Sequence, residues 1–368
     1  MPLRPPDHEK ENPESVAAES GVQGIEALPN RVSRYGKAKT DALDVAKYMR
    51  ESGNHQAMAE KVASCGDYLT FRNYFTVDQI RLHQASLCKK HLLCPLCAIR
   101  RGAKALKSYL DRWEAIQAEK PRLRPFLVTL TVKDGDDLAE RFRHLMKAQH
   151  ELWKRKHRGR GCSLDGVAGA VWSYEVKRGK GSGKWHPHLH MVALAEIPPS
   201  AEKLSQEWHQ ITGDSFIVDV RPIDQDDPVS GFVEVFKYAV KFSEQPPADT
   251  VHCWETLKGR RLLGNAGCFR GVVVPDELTD DCKDLEGLPF QALMFSYFNG
   301  GYSLTRTEFG KAESRPKARD IKPSEMPASR HKKEDIQREI QRRKRRGPGA
   351  QPQGSRPAKP VPHALGGP

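Results

Sequence analysis

Two β-rich segments on either side of a glycine-rich stretch place the tightest constraint on how this chain folds. The first segment is Ala170–Val176, the second is Trp185–Leu194, and residues 177–184 between them include three glycines. Strand-forming residues that flank a short turn-forming stretch predict an antiparallel β-hairpin. A further buried strand is predicted at Phe126–Val132. We therefore expect a region of strands and helices over residues 121–310.

Three histidines alternate along the second of these segments, at positions 186, 188 and 190. Side chains alternate across a strand, so His188 and His190 project from one face about 7 Å apart. That spacing suits capture of one divalent ion by two imidazoles. Glu175 on the preceding strand is a candidate third ligand, and His186 is a candidate contact to substrate or to a ligand. Histidines without any metal role are the alternative interpretation.

A helix predicted over residues 227–242 carries a second set of candidate residues. Glu234, Tyr238 and Lys241 stand at positions i, i+4 and i+7 and share one face, with Lys237 at its edge. A phenol between a carboxylate and an ammonium is a candidate nucleophile, although an unperturbed tyrosine has a pKa near 10 and attacks poorly at neutral pH. The alternative is an exposed Glu–Lys face with a half-buried tyrosine.

Together, the histidine pair and the tyrosine helix predict phosphoryl transfer on DNA. A metal draws charge off the non-bridging phosphate oxygens while Tyr238 attacks in line, which leaves a phosphotyrosine and a free 3′-hydroxyl. Glu234, one turn earlier, is placed to activate water or a second hydroxyl. Phosphoryl chemistry favours Mg²⁺ or Mn²⁺ at this site, whereas two histidines alone also suit Zn²⁺.

Four of the eight cysteines lie within 33 residues, in the arrangement C-x22-C-x5-C-x2-C. A Cys-x2-Cys pair lets two thiolates converge on one tetrahedral ion, and two more cysteines complete the ligand set. The spacing therefore predicts a structural Zn²⁺ held by Cys65, Cys88, Cys94 and Cys97, with His91 as an alternative fourth ligand. Isolated buried thiols are the competing interpretation. The basic amphipathic helix predicted after the last cysteine suits docking onto DNA or an ordinary solvated face.

The net charge of +13 is unevenly distributed. Residues 311–368 hold 16 Lys and Arg against 6 Asp and Glu, a net of +10, which leaves +3 for residues 1–310. This proline-rich basic tail is predicted to be disordered and either attracts phosphate backbones or serves only solubility. Residues 1–35 are polar and are also predicted to be disordered. Between the two tails we expect a helical, Cys-rich segment at 36–120 and a catalytic domain at 121–310.

The cellular compartment follows from what the sequence lacks. No apolar run reaches the roughly 18 residues that a membrane helix needs, and the first residues show no signal segment. We therefore expect a cytoplasmic protein without a membrane partner. In that setting the cysteines are expected to be thiols or metal ligands rather than disulfides.

The order of these motifs resembles the His-hydrophobe-His (HUH) endonucleases, and most closely the replication initiators of rolling-circle plasmids. The resemblance rests on FLVTLT at 126–131, HPHLH at 186–190, EVFKYAVK at 234–241 and the upstream cysteines, and it spans about residues 65–309. It implies an α+β fold, with an HUH endonuclease domain of a central antiparallel sheet and helices on one side. The Cys-rich segment precedes this domain.

The resemblance also implies an activity, in which Tyr238 nicks one DNA strand at the origin and DNA is rejoined at termination with help from Glu234. Lys237 belongs to the same motif. The implied partners are origin DNA, single-stranded or as a hairpin, and the host replication helicase and polymerase. The alternatives are an HUH relaxase or transposase, a non-cutting zinc-dependent DNA-binding regulator, and a metallohydrolase of small substrates.

Overall fold

The computed structural model describes residues 13–21, 23–159, 161–237 and 245–311. No helix within these ranges is long and apolar enough to cross a membrane. The helices are α1 (Pro13–Ser20), α2 (Leu28–Glu51), α3 (Gln56–Ala63), α4 (Pro95–Glu119), α5 (Leu138–His157), α6 (Ala201–Thr212), α7 (Pro228–Phe236) and α8 (Pro247–Leu257). The strands are β1 (Tyr68–Tyr74), β2 (Gln79–Ala85), β3 (Arg124–Thr131), β4 (Gly169–Arg178), β5 (Trp185–Ala195), β6 (Val218–Pro222), β7 (Leu263–Gly267), β8 (Pro289–Phe298) and β9 (Gly301–Lys311).

A five-stranded sheet in the order β6-β3-β5-β4-β7 forms the larger of two sheets, and every neighbouring pair in it is antiparallel. The hairpin predicted from the glycine-rich stretch is present, because β4 pairs with β5 from Gly169 to Arg178. Its turn is closed by the Gly179 amide, which donates to the Lys184 carbonyl at 2.8 Å. The expectation of an α+β fold with a central antiparallel sheet is confirmed.

Helix α5 covers one face of this sheet. Its Phe142 ring lies 5.3 Å from Tyr174 and its Trp153 ring lies 5.5 Å from Trp172, both on β4. Because side chains alternate along a strand, this face is opposite to the one that carries Glu175. The apolar positions of α5 recur at helical spacing, and Asp137 caps its first turn by accepting from the Glu140 amide.

Helix α7 lies over the other face of the sheet, which carries Glu175. Two glycines allow its close approach. A Cβ on Gly231 would meet the Ile223 side chain at 2.5 Å, and a Cβ on Gly102 of α4 would meet the Phe236 carbonyl at 2.8 Å. The helix predicted over 227–242 is thus found as Pro228–Phe236, and residues 238–244, with Tyr238 and Lys241, lie outside the described residues.

The second sheet has four strands in the order β2-β1-β8-β9. Helix α2 packs against it, with the Tyr35 and Phe71 rings stacked at 6.4 Å. Strand β1 pairs with β8 in antiparallel register, so residues on both sides of position 121 contribute to this sheet. The domain boundaries stay a prediction, and the basic tail lies outside the described residues from 312 onward.

The part of the predicted N-terminal tail that is described is helical instead of disordered. Glu19 of α1 and Arg31 of α2 are buried and joined by an ion pair of 2.8 Å. Arg100 of α4 binds the same carboxylate at 2.8 Å, and Asp280 pairs with both guanidinium groups. Burial raises the pKa of Glu19, but the two guanidinium groups outweigh burial and lower it overall. The polar composition of residues 1–35 predicted solvated charges, whereas Glu19 and Arg31 are paired in the interior of the fold.

Candidate metal centres and catalytic helix

The central position of β5 brings the predicted histidine cluster together. In the strand register, His188 lies opposite Glu175 of β4 and opposite Thr131 of β3. His190 lies opposite Thr129 on the β3 side. Directly paired residues of antiparallel strands share one face of the sheet. The register, which the sequence alone left open, therefore places Glu175 beside both histidines.

The three side chains converge on one small volume. Glu175 Oε1 lies 3.4 Å from His188 Nε2, and Oε2 lies 3.5 Å from His190 Nε2. One ligand atom from each residue falls within 4.8 Å of the other two. Glu175 is only 3 % exposed, and its Oε2 has no hydrogen-bond partner among the described residues. A buried oxygen in this state is costly unless a cation or another donor satisfies it.

The far nitrogens of both rings are held in place. His188 Nδ1 lies 3.4 Å from the His186 carbonyl, and His190 Nδ1 lies 3.1 Å from the Thr129 hydroxyl. A carbonyl oxygen only accepts, so a hydrogen bond here uses a proton on Nδ1 of His188. In the neutral ring that carries this proton, the Nε2 lone pair faces the Glu175 carboxylate. Two acceptors that face each other in this way form a cradle for a cation.

The protonation states also suit a metal. Burial raises the pKa of Glu175, but the neighbouring His188 and His190 outweigh burial and hold the pKa of this carboxyl well below its usual range. Burial lowers the pKa of His190 and of His186. A carboxylate and neutral imidazoles are the forms that bind divalent ions. Mixed nitrogen and oxygen donors of this kind are compatible with Mg²⁺, Mn²⁺ or Zn²⁺.

Helix α7 brings two further predicted residues to the histidine face. Burial lowers the pKa of His190, and the smaller opposing effect of the Glu234 carboxylate indicates that this charge lies near the cluster. Lys237 directly follows α7 and is 4 % exposed, and its Nζ lies 2.5 Å from Glu234 Oε2. Lys237 is the last described residue of this range, and Tyr238 follows it in the sequence. The positions of Tyr238 and Lys241 thus stay predictions.

The four predicted cysteines form a second cluster. The Sγ atoms of Cys65 and Cys94 lie 3.4 Å apart, and those of Cys65 and Cys88 lie 3.5 and 3.6 Å from Cys97. A tetrahedral zinc with Zn–S bonds of about 2.3 Å has sulfurs roughly 3.8 Å apart. All four thiols are free of disulfides. His91 is not part of this cluster, and burial lowers its pKa to about 4.

Hydrogen bonds among these thiols shift their pKa values in opposite directions. Contacts from the other three cysteines lower the pKa of Cys88, the most accessible member. Contacts from Cys65 and Cys88, together with burial, raise the pKa of Cys94 and Cys97. These two thiols therefore resist deprotonation beside a neighbouring thiolate, a cost that a bound Zn²⁺ would offset by stabilising all four thiolates.

The turn after Cys65 is built by residues that sequence reasoning missed. Gly66 has φ +71°, and a Cβ there would lie 2.7 Å from Leu96 Cδ2 and from the Tyr302 hydroxyl. Tyr302 donates to the Gly66 carbonyl at 2.6 Å, and the buried Lys39 donates to the Cys65 carbonyl at 2.8 Å. The only sequence signal was the glycine next to the cysteine. Lys39 and Tyr302 lie too far away in the chain to be linked to it by spacing.

Several basic residues of α4 have partners within the protein. Arg100 is buried in the ion-pair network, and Arg101 donates to the Pro275 carbonyl at 2.8 Å. Lys107 pairs with Asp111 at 3.0 Å on the same helix. These contacts favour a structural role for the charges of α4 over docking onto DNA.

Three relatives are each similar to about three-fifths of the chain. Protein rep of Streptococcus pneumoniae serotype 2 (strain D39 / NCTC 7466) is 25% identical over 252 residues, which are 63% of this chain and 76% of the relative. Protein rep of Lactiplantibacillus plantarum is 27% identical over 248 residues, 60% of this chain and 76% of the relative. Protein rep of a Bacillus species is 28% identical over 250 residues, 58% of this chain and 79% of the relative. No solved structure matches the chain.

A family model described as replication protein (Rep_1) matches residues 79–289, more than half of the chain. The matched segment contains the histidine cluster, α7 and three of the four clustered cysteines. Together with the three relatives, this match confirms the resemblance to the replication initiators of rolling-circle plasmids. The chain belongs to the Rep_1 family of replication proteins.

Proposed function

We propose that this replication initiator is a metal-dependent nickase that cuts one strand of its origin through Tyr238 and rejoins DNA at termination. The observation that carries the proposal is the buried trio of Glu175, His188 and His190, in which one carboxylate oxygen has no partner among the described residues. Helix α7 ends over the same face and leads directly into Tyr238. A tyrosine that follows this helix in the sequence supports the choice of Tyr238 as the nucleophile.

The residues around the phosphate have distinct tasks. His188, His190 and Glu175 would hold Mg²⁺ or Mn²⁺, and the bound ion would neutralise charge on the scissile phosphate. The Tyr238 hydroxyl releases its proton to solvent as its oxygen attacks phosphorus, and the bond from phosphorus to the 3′ oxygen breaks. The 3′ oxygen takes up a proton from solvent and leaves as a 3′-hydroxyl. The product is a 5′-phosphotyrosine, which keeps the energy needed for rejoining.

Lys237 and Glu234 prepare the second step. The 2.5 Å ion pair between them keeps an ammonium beside the carboxylate that is placed to accept a proton from water or from an attacking hydroxyl. Lys241 adds positive charge three residues after Tyr238 in the sequence. The Cys65, Cys88, Cys94 and Cys97 cluster takes no part in this chemistry and would hold a structural Zn²⁺.

The partners follow from the reaction. Origin DNA in single-stranded or hairpin form supplies the scissile phosphate, and the free 3′-hydroxyl primes synthesis by the host polymerase, with a host helicase to open the duplex. These events take place in the cytoplasm, where plasmid DNA resides.

The test is formation of a covalent protein–DNA adduct. Wild-type protein is incubated with Mn²⁺ and labelled single-stranded DNA that spans its origin, and the mixture is run on a denaturing gel. We expect an adduct with the wild type and with Tyr48→Phe, an exposed tyrosine of α2, and none with Tyr238→Phe. An adduct that persists in Tyr238→Phe would assign the nucleophile elsewhere. Tight salt-sensitive binding by the wild type without any adduct would instead indicate a non-cutting regulator.

A further inference from the structure

The outer side of α5 carries a straight line of basic side chains. Arg143, Lys147, His150 and Lys154 are all exposed, and their spacing of four, three and four residues puts them on one face of the helix. At a rise of 1.5 Å per residue, the line is about 16 Å long. We refer to these four residues as the α5 stripe.

The charges of the α5 stripe are not used by the fold. Arg143 and Lys147 make no ion pair with any residue in the described ranges, and Lys154 lies only within 3.9 Å of Glu151. By contrast, Arg141 on the inner side of the same helix is paired within the fold, because its guanidinium lies 2.5 Å from the Asp214 carboxylate. The stripe therefore leaves positive charge available to a partner.

The α5 stripe lies in a groove of about 700 Å³. Ile211 of α6 lines one side, and Arg260, which follows α8, adds a further exposed cation. The buried Tyr174 and Gln149 form part of the floor and hydrogen-bond to each other at 3.1 Å. The groove thus has a buried base and a mainly basic rim, in which Glu151 is the one carboxylate among the lining residues.

The chemistry of the stripe fits duplex DNA better than a protein or a single strand. None of the exposed large apolar side chains lies on α5, whereas the centre of a protein interface is enriched in aromatic residues and depleted in lysine. Proteins that grip single strands use aromatic side chains as stacking platforms, and the stripe has none. In a duplex, successive phosphates of one strand are 3.4 Å apart along the helix axis but wind around it, so a straight line of this length faces only a few of them.

We propose that the α5 stripe is a second DNA-binding surface, which holds the phosphate backbone of duplex DNA beside the nick. Helix α5 packs on the sheet face opposite to His188 and His190, so the bound duplex does not compete with the strand at the histidine cluster. The inference rests on the proposed function, because that function makes origin DNA the substrate. It assigns grip to one face of the sheet and cutting to the other.

The experiment compares two triple variants of the full chain. The first is Arg143→Gln/Lys147→Gln/Lys154→Gln, and the second removes three exposed cations elsewhere, as Lys47→Gln/Arg50→Gln/Lys61→Gln. Binding of a labelled duplex that flanks the origin is measured by fluorescence anisotropy at several salt concentrations. We expect the first variant to bind at least about tenfold more weakly and to lose about 2–3 from the slope of log K against log salt, at about 0.9 per phosphate contact. The second variant is expected to match the wild type.

Cleavage of a short single-stranded oligonucleotide separates this proposal from the proposed function. At saturating oligonucleotide, the α5 variant is expected to cut at the wild-type rate. An unchanged salt slope would overturn the α5 proposal even if cleavage is normal, and a changed slope in a protein that never cuts would leave it standing while nicking fails. If the variant binds duplex normally but loses binding to poly-glutamate, the stripe belongs to an acidic protein partner and the proposal is wrong. The double variant Arg143→Gln/Lys147→Gln repeats the test should the triple variant fold poorly.

Discussion

The two sheets of the molecule treat their buried charges in opposite ways. Beside the four-stranded sheet, both carboxylate oxygens of Glu19 and of Asp280 accept hydrogen bonds from arginines or from the backbone. On the five-stranded sheet, Glu175 Oε2 and the nearby Ser173 Oγ have no partner among the described residues. A buried charge that makes all of its hydrogen bonds stabilises a fold. A buried charge with an unused acceptor oxygen at the centre of a sheet is available for a ligand.

The two metal-type clusters differ in the same sense. Four cysteine thiols surround one point and complete a tetrahedral ligand set, which is typical of a closed structural site. The histidine cluster offers three donors, so an ion bound there keeps positions open for water or a phosphate. The cysteine cluster joins the turn after α3, the segment after β2 and the start of α4, while the histidine cluster rests on two neighbouring strands.

The largest effect is expected from removal of the open cluster. In His188→Ala/His190→Ala the scissile phosphate loses its cation, so the single-turnover rate of nicking should fall at least about a thousandfold. The cysteine cluster is untouched, so the zinc content per chain should stay at the wild-type value. A quenched-flow assay with labelled origin DNA gives the rate, and atomic emission gives the zinc content. A parallel loss of zinc would show that the two clusters are not independent.

A smaller effect, on stability instead of rate, is expected from the closed cluster. Cys94→Ser removes one thiolate from a buried site, and the free energy of unfolding should fall by about 3 kcal/mol as zinc is lost. Cys282→Ser is the matched control, since Cys282 lies outside the cluster, and its cost should stay within about 1 kcal/mol. Urea denaturation with zinc present measures both. Equal stabilities for the two variants would argue against a structural metal.

Local patterns predicted much of the five-stranded sheet and its cluster. The alternation of His188 and His190 fixed their common face, and the glycine-rich stretch fixed the hairpin, because both depend on residues close together in the chain. The side of the cluster that Glu175 occupies depends on strand register, which no local pattern determines. Its place opposite His188 emerged only from the pairing of β4 with β5.

The ion-pair network beside the four-stranded sheet could not be predicted, because its residues lie far apart in the sequence. Glu19 and Asp280 are 261 positions apart in numbering, yet both bind Arg100, so composition assigned residues 1–35 to a solvated tail. Strand β8, near the far end of the described chain, likewise pairs with β1, and β9 pairs with β8. The basic helix α4 was a candidate for DNA docking, and its Arg100 proved to be buried. Spacing in a sequence identifies which residues share a face, but it does not reveal what that face contacts.

The smallest expected effect tests how finely the open cluster is tuned. Thr129→Val replaces the hydroxyl that holds His190 Nδ1 at 3.1 Å with a methyl group of similar size. The ring then loses the contact that orients its Nε2 toward Glu175, so the affinity for Mn²⁺ should fall about 10–100-fold. Thr129→Ser keeps the hydroxyl and should restore the wild-type affinity. The electron paramagnetic resonance signal of free Mn²⁺ reports binding in each variant. If Thr129→Val binds Mn²⁺ as the wild type does, the hydroxyl accepts or donates a hydrogen bond without orienting the imidazole. The unpartnered Glu175 oxygen would then be the one feature that distinguishes this cluster from the fully hydrogen-bonded network of Glu19 and Asp280 beside the other sheet.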